Sequence, residues 1–292
     1  MEYCVLKCYF GVEDLAILDD DLSSAIRGIW GMNLKRSYCL QRNINCKDCT
    51  FEQCPYYAIF EKRYGTNDEY RPYIIYHNQN NKKQIEVHFI LLGFLSQHYD
   101  KVLLPILQIE ERPLRLRGRR HFITLDRIID QNNKIILDRN NRDFSAIKAS
   151  KMEASKAVNI EKIVLHFETP LRMKYQGRFV GEFNFEVFLN ALIRRLKYIQ
   201  EHFTEDEHIY SLKPEFLQSQ IKHDFKWKEK VRKSNRQGQK MSIGGLIGSL
   251  VIEKPHPELV EILQIGEYIQ VGKQTSFGNG KYYIEMESTK SK

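Results

Sequence analysis

Residues 161–168, Glu161-Lys162-Ile163-Val164-Leu165-His166-Phe167-Glu168, place Ile163, Leu165 and Phe167 two positions apart. That period belongs to a strand with one face in a core. Further along, Phe185, Phe188, Leu189, Leu192, Ile193, Leu196 and Ile199 recur at spacings of three and four, which is the apolar stripe of an amphipathic helix. Residues 222–252 read as a long hairpin turning near Gln237-Gly238. Pro257 opens a short helix through Ile265, where proline in a first turn leaves no hydrogen bond unmade, and Lys281 to Met286 is a last strand. The order is strand, helix, strand, strand, helix, strand.

The same order is legible in the first half. Cys4, Leu6, Cys8 and Phe10 share one face of a strand over Glu2 to Phe10. Asp19-Asp20-Asp21 offers an acidic N-cap to a helix over Leu22 to Arg36 that carries Leu22, Ile26, Ile29 and Trp30 on one side. Tyr73 to Tyr76 and Ile85 to Leu92 read as strands, with Asn78, Asn80 and Asn81 supplying the turn. Phe94 to Ile109 reads as a helix kinked by Pro105, and His121 to Leu125 closes the unit. Residues 126–158 are polar and aperiodic, which predicts the boundary there. The expected fold class is α+β, with two tandem ferredoxin-like (β-α-β-β-α-β) domains at 1–140 and 155–292.

The chain has 292 residues, 42% hydrophobic and 28% charged, a globular composition with enough length for two cores. No run of about 18 apolar residues occurs, so a transmembrane helix and a membrane partner are not expected. Met1 to Lys7 lacks the basic segment and apolar core of a signal peptide, so the expected location is cytoplasmic. Thiols stay reduced there, and the six cysteines point to metal ligands or packed thiols before disulfides. Cys39, Cys46, Cys49 and Cys54 fall within sixteen positions and include a Cys-x-x-Cys knuckle. Four soft thiolates in a short loop suit a structural, tetrahedral zinc with no open position for catalysis. An iron–sulfur cluster and unmetallated packed thiols are the alternatives. Cys4 and Cys8 alternate with Leu6 and are expected in the core.

Forty-five Lys and Arg against 37 Asp and Glu leave a formal charge of +8. Between Lys222 and Lys240 there are eight Lys or Arg against Asp224 and Glu229, a local excess of +6. Alternation puts Lys222, Asp224, Lys226, Lys228, Lys230 and Arg232 on one face, with Trp227 among them as a stacking partner for an unpaired base. Arg112, Arg115, Arg117, Arg119 and Arg120 form a second basic block. Such blocks neutralise phosphates or, in the plainer reading, protect a sheet edge by charge.

The loop Gly272-Lys273-Gln274-Thr275-Ser276-Phe277-Gly278-Asn279-Gly280-Lys281 is neither a Walker A motif nor a dinucleotide fingerprint, because Tyr282 follows Gly280-Lys281 and a strand follows the glycines. Its glycines let the backbone approach another chain and aim N–H groups at phosphates. This loop, Phe167-Glu168-Thr169-Pro170-Leu171-Arg172, and Arg232-Lys233-Ser234-Asn235-Arg236-Gln237 followed by Met241-Ser242-Ile243-Gly244-Gly245-Leu246-Ile247-Gly248 resemble one family. The cysteine cluster ending Cys54-Pro55-Tyr56 adds to the match. The family is that of the CRISPR-associated RAMP-superfamily endoribonucleases that process precursor CRISPR RNA.

The resemblance implies two ferredoxin-like domains, binding of a precursor CRISPR RNA repeat, and one cleavage in it. Metal-independent RNA cleavage uses the substrate's 2′-hydroxyl as nucleophile and leaves a 2′,3′-cyclic phosphate. It needs a base, an acid and cations on the developing charge. Many relatives have a histidine after the first strand, whereas this chain has none between Met1 and Tyr76. Relatives lacking it are thought to rely on Lys and Arg, which makes Lys35, Arg36 and Tyr38 catalytic candidates, with His223 as another. RNA contacts are expected from Arg117, Arg119, Arg120, Lys226, Trp227, Arg232, Ser234, Arg236, Gly272, Lys273, Ser276, Phe277, Gly278 and Gly280. No catalytic metal is expected. The alternative is a non-cleaving RNA-binding subunit of a CRISPR effector complex, with other effector subunits as partners.

Overall fold

The computed structural model describes residues 1–13, 22–51, 53–64, 70–81, 83–116, 119–154, 160–205, 210–229, 231–233 and 240–288. Residues 2–150 and 151–292 separate into two compact units. The first unit begins with β1 (Glu2–Val12), whose Cys4, Leu6, Cys8 and Phe10 are fully buried on one face. After α1 (Leu22–Tyr38) come β2 (Tyr73–Asn81), β3 (Gln84–Leu92), α2 (Phe94–Gln97) and α3 (Tyr99–Leu107). The short pair β4 (Leu114–Leu116) and β5 (Arg119–His121) precedes β6 (Ile123–Ile129) and β7 (Ile135–Leu137). β8 (Ser150–Lys151) marks the junction. The sheet order is β2-β3-β1-β6-β7, with antiparallel neighbours.

Trp30 anchors α1 to this sheet. Its ring is fully buried, 4.8 Å from Tyr73 and 5.9 Å from Phe89, and its Nε1–H donates to the Val102 carbonyl at 3.5 Å. One helix thus covers β2 and β3 and touches α3. Several expectations change here. Asn78 and Asn81 belong to β2, because cross-strand pairing with Glu86 and Gln84 extends that strand to the turn itself. The expected helix over 94–109 breaks at His98, while Pro105 sits inside α3, where the Asn33 amide donates to its carbonyl. The closing strand is β6, since Arg119–His121 pairs with β4, and β7 adds a fifth strand inside the stretch expected to be linker. The Asp19–Asp21 cap lies outside the described residues.

The second unit starts with β9 (Ile160–Leu171), with Ile163, Leu165 and Phe167 buried as its alternation predicts. β10 (Lys174–Tyr175) and β11 (Arg178–Phe179) form a small hairpin before α4 (Phe185–Phe203). The Asn184 side chain caps α4 by accepting from the Val187 N–H at 2.9 Å. Then follow α5 (Pro214–Leu217), β12 (Gln220–Lys228), β13 (Val231–Lys233), β14 (Lys240–Ser242), β15 (Gly245–Glu253), α6 (Pro257–Ile269) and β16 (Tyr282–Ser288). The sheet order is β12-β15-β9-β16, again antiparallel. The hairpin tip at Gln237-Gly238 lies outside the described residues. At Gly266 in α6 a Cβ would stand 2.1 Å from the Tyr282 hydroxyl and 2.9 Å from Leu192, so glycine is what lets α6 close on β16 and α4. The Tyr282 hydroxyl then donates to the Leu263 carbonyl at 2.6 Å.

Each half is therefore an α+β, sheet-based unit, and in both the central four strands run second, third, first, fourth. No helix among the described residues is long and apolar enough to cross a membrane. Trp30→Ala should cost about 3–5 kcal/mol through lost burial and an unrelaxed cavity, and Trp30→Phe distinctly less. Urea unfolding of the two variants beside the wild type measures both.

Candidate functional site

In the second unit the glycine-rich loop leaves α6 and returns to β16 through a run of left-handed residues, including Gly272 (φ 90°), Gln274 (φ 65°), Gly278 (φ 82°) and Gly280 (φ 76°). A Cβ on residue 280 would lie 1.8 Å from the Val271 carbonyl oxygen, and one on residue 272 would lie 2.5 Å from that of Arg172. Two demands, handedness and space, thus fall on the same glycines. The loop is laced to the end of β9. The Lys273 N–H donates to the Arg172 carbonyl at 2.7 Å and the Gly280 N–H to Pro170 at 3.0 Å. Thr169 Oγ1 donates to the Gly278 carbonyl at 2.7 Å and accepts from the Lys281 N–H at 2.8 Å. The Asn279 amide reaches the Ile243 carbonyl at 3.1 Å.

Sequence reasoning assigned these glycines to contact with another chain, and the structure gives them a nearer cause. The N–H groups of Lys273, Phe277, Gly278, Gly280 and Lys281 are all used within the protein. Ser276 is buried, Phe277 and Lys273 are half-buried, and Lys281 pairs with Glu168 at 2.6 Å, which spends a charge expected for phosphate.

β12 carries the basic row. Its register sets Lys222, Asp224 and Lys226 opposite Val251, Ser249 and Ile247, on the face away from the core. Lys226 and Lys228 are exposed, and Lys222 pairs with Glu253 at 2.7 Å. The pairing lowers the Glu253 carboxyl below its ordinary range. Trp227 is not on that face: it stands opposite Leu246, on the side of His223 and Phe225, and its Nε1–H donates to Glu229 at 2.7 Å. An odd position among even ones lands on the other side of a strand. His223 is exposed but rests on Phe183 at 5.0 Å between ring centres, and Phe183 stacks on Phe225 at 4.4 Å. On the open face His166 stacks on Tyr283 at 4.8 Å and faces Glu285 at 3.3 Å. The side chain of Arg232 lies outside the described residues, as do Ser234, Arg236 and Lys230 altogether.

In the first unit Lys35, Arg36 and Tyr38 occupy the last turn of α1. Lys35 and Tyr38, three apart, share a helix face. The Lys35 ammonium lies 5.7 Å from the Tyr56 ring centre, and the Tyr38 carbonyl accepts a long contact from the Cys54 thiol. Arg36 points elsewhere, pairing with Glu111 at 3.5 Å in an exposed contact that holds it only weakly. Burial raises the Tyr38 phenol above its ordinary value, so near neutral pH it carries an O–H that can donate. Arg27, by contrast, is locked in an aromatic stack, over Phe60 at 4.3 Å and donating to the Tyr73 hydroxyl at 2.9 Å.

The cysteine loop wraps the same helix end. The Cys46 thiol is raised by burial, with Lys35 opposing and Glu61, Cys39 and Cys54 adding to the rise. Cys49 instead turns its thiol to the Gln41 side chain at 3.3 Å. Among the described residues no three His, Cys, Asp or Glu side chains are grouped to hold a metal ion, so the expected four-thiolate set is not assembled by this placement. Cys4 and Cys8 are core thiols, and burial pushes Cys4 up to about 12.

Arg119 and Arg120 are exposed on β5, with Arg120 opposite Arg115, while Arg117 lies outside the described residues. His88 lies on the face of β3 opposite the core residues Val87 and Phe89. It is buried on β3, hydrogen-bonded to the Tyr76 hydroxyl at 2.8 Å on one nitrogen and to Glu86 on the other.

A two-sheet α+β chain with these loops has well-defined relatives. Residues 1–150 match a family profile described as an N-terminal domain, and residues 165–282 match the profile of the CRISPR-associated endoribonuclease Cas6. The second unit thus carries a match to the Cas6 endoribonuclease domain, and Cas6 structures resemble this chain in fold over nearly its whole length. No curated protein sequence matches at a significant level. Solved structures similar in fold include Thermus thermophilus Cas6, with TM-score 0.55, 14% identity and 98% of each chain covered. A Cas6 product complex gives TM-score 0.56 at 16% identity over 98% of this chain and 99% of that one. A Cas6-RT-Cas1–Cas2 complex gives TM-score 0.58 at 13% identity over 100% of this chain and 29% of that one.

Gly280→Ala should displace the loop from Val271 and lower stability by about 1–3 kcal/mol. Gly28→Ala, at an exposed helical site where a Cβ meets nothing within 4 Å, should raise stability by about 0.5–1 kcal/mol. Thermal melts of the two variants, with repeat-RNA gel shifts of the first, report both effects.

Proposed function

We propose that this chain cuts the repeat RNA of a precursor CRISPR transcript without a catalytic metal, through attack of the substrate's own 2′-hydroxyl. The observation that carries the reading is the Cas6 match over 165–282, which encloses both the basic strand β12 and the glycine-rich loop. In this reading the loop and β12 hold the repeat, with Lys226 and Lys228 on phosphates and the loop's Lys273 and Phe277 at its rim. Arg119 and Arg120 add a second basic contact. Each unit is read as ferredoxin-like, supported by the shared strand order of the two sheets.

The chemistry needs a proton acceptor at the 2′-oxygen, a donor at the departing 5′-oxygen and positive charge on the phosphate. Tyr38, kept protonated by burial, fits the donor. Lys35 and Arg36 fit the phosphate, Arg36 by exchanging an exposed carboxylate for a phosphate with the same forked geometry. His223, in the second unit, is a separate candidate, an exposed imidazole on the strand that carries the basic row. A second reading, an RNA-binding effector subunit that does not cut, is favoured by one feature: no histidine occurs between Met1 and Tyr76.

The cysteine loop is read as a structural zinc loop, supported by four thiols in sixteen positions and by the proximity of Cys46 to Cys39 and Cys54. Closing the site requires Cys49 to leave Gln41. Zinc, when bound, would order the loop and take no part in the reaction.

With labelled cognate repeat in EDTA, the expected product carries a 2′,3′-cyclic phosphate and its partner a 5′-hydroxyl. Binding without product shifts the conclusion to the second reading. Alanine at Lys35, Arg36 or His223, or phenylalanine at Tyr38, should lower the cleavage rate by about 10²–10⁴-fold where the group transfers a proton. Affinity should then be nearly unchanged, and parallel Kd measurements separate chemistry from grip. Elemental analysis of the purified chain should give one zinc per chain, and a Cys46→Ser variant should lose it; a metal-free wild type removes the zinc reading alone.

A further inference from the structure

The small β10–β11 hairpin has no role in the reading above. Its turn places both Gln176 (φ 48°) and Gly177 (φ 81°) in the left-handed region, the geometry of a tight two-residue hairpin. Lys174 pairs with Phe179 and Tyr175 with Arg178, so strand alternation sends the two pairs to opposite faces.

On the Lys174–Phe179 face the ring of Phe179, itself 46% exposed, is held by two cations. The buried Arg172 guanidinium lies 3.7 Å over the Phe179 ring centre and the Lys174 ammonium 4.8 Å from it. Arg172 also donates to the Gly244 carbonyl at 2.6 Å, and its own carbonyl accepts from Lys273 of the glycine-rich loop. The hairpin is thereby fixed to that loop. Its other face turns outward: Tyr175 is 58% exposed, beside the exposed Arg178. Residues 168–182 contain three cations, Arg172, Lys174 and Arg178, and two acids at the ends, Glu168 and Glu182, of which Glu168 is taken up by Lys281. A cleft of about 460 Å³, within the range of small-ligand sites, is lined by Tyr175, Gln176, Arg178, Phe179 and Val180.

We infer that Tyr175 and Arg178 form a stacking platform for one unpaired nucleotide of the bound RNA. The phenol ring takes the face of the base and the guanidinium takes the adjoining phosphate. The exposed Arg178 beside the exposed Tyr175 ring, with Lys174 on the same hairpin tied to the glycine-rich loop, favours a polyanion over a protein partner. Stacking on a ring is tolerant of base identity, so this contact reads the position of an unpaired nucleotide and not its sequence. The inference rests on the reading of the chain as a binder of CRISPR repeat RNA.

The test uses the full chain and fluorescently labelled cognate repeat with a 2′-deoxy nucleotide at the scissile position, which blocks cleavage, read by anisotropy. Tyr175→Ala should weaken binding about tenfold, while Tyr175→Phe, which keeps the ring, should bind like the wild type. Arg178→Ala should make the salt dependence shallower by about one phosphate. A walk of single abasic nucleotides through the repeat should find one position that weakens the wild type but adds nothing to Tyr175→Ala. That position keeps the inference testable on wild-type protein even where a variant folds poorly. Equal binding by Tyr175→Ala and wild type, or losses that multiply at every abasic position, overturns the platform while leaving RNA cleavage intact. A wild type that neither binds nor cuts the repeat overturns both readings.

Discussion

Arg172, buried just after β9, ties three parts of the second unit together through its guanidinium and its backbone carbonyl. It donates to Gly244 at the mouth of β15 and lies over Phe179 of the β10–β11 hairpin, and its backbone carbonyl holds Lys273. A buried cation costs several kcal/mol unless hydrogen bonds and aromatic faces replace its water. That cost fixes the arrangement, because loss of any one partner leaves charge in a dry place. The glycines of the 272–280 loop follow from the same constraint. The loop can reach the Arg172 and Val271 carbonyls only where no Cβ intervenes. Hydrogen bonding within the chain thus dictates a loop whose glycine content would otherwise be ascribed wholly to RNA.

The elements legible in sequence were those with a strong period: β1 and β9, the stripe of α4, and the strand and helix order of both halves. Period 2 and period 3.6 report burial on one side, and burial is what folding selects. The misplacements share a cause in the other direction. Asn78 and Asn81 have turn chemistry, but ladder hydrogen bonds to Glu86 and Gln84 outweigh it. Pro105 sits in α3 despite its missing N–H, with its carbonyl taken by Asn33 from α1, a contact that no local pattern encodes. β7 lies in a polar stretch because only Ile136 is needed inward to hold a three-residue edge. Trp227 was assigned to the wrong face by composition, when its parity already placed it on the other side.

The candidate site was legible as residue types and less so as partners. Lys35 and Tyr38 are three apart on a helix, so their shared face follows from sequence, but their meeting with Cys46 and Cys54 depends on how a loop folds back. The basic row of β12 was visible because alternation and charge coincide. Its partial neutralisation by Glu253 was not, since the pair is 31 positions apart and forms only through the β12–β15 register. Lys281 is the same case, with Glu168 brought to it by the β9–β16 pairing.

The two sheets share a strand order yet treat the face away from their helices differently. In the first unit that face holds buried Tyr76 and His88 and half-buried Glu86, hydrogen-bonded in a chain through His88, with Tyr9 raised by burial and by Glu86. Such a chain satisfies its own polar groups and offers little to an incoming polyanion. In the second unit the corresponding face carries Lys222, Lys226 and Lys228 at its edge and His166 with Tyr283 toward its centre. Lys226 and Lys228 are exposed and hydrated, which leaves their charge available to a polyanion, whereas Lys222 is paired with Glu253. The same topology therefore serves stability in one half and presents cations in the other. The difference rests on a handful of outward positions, because the inward positions of both sheets are constrained alike by the core.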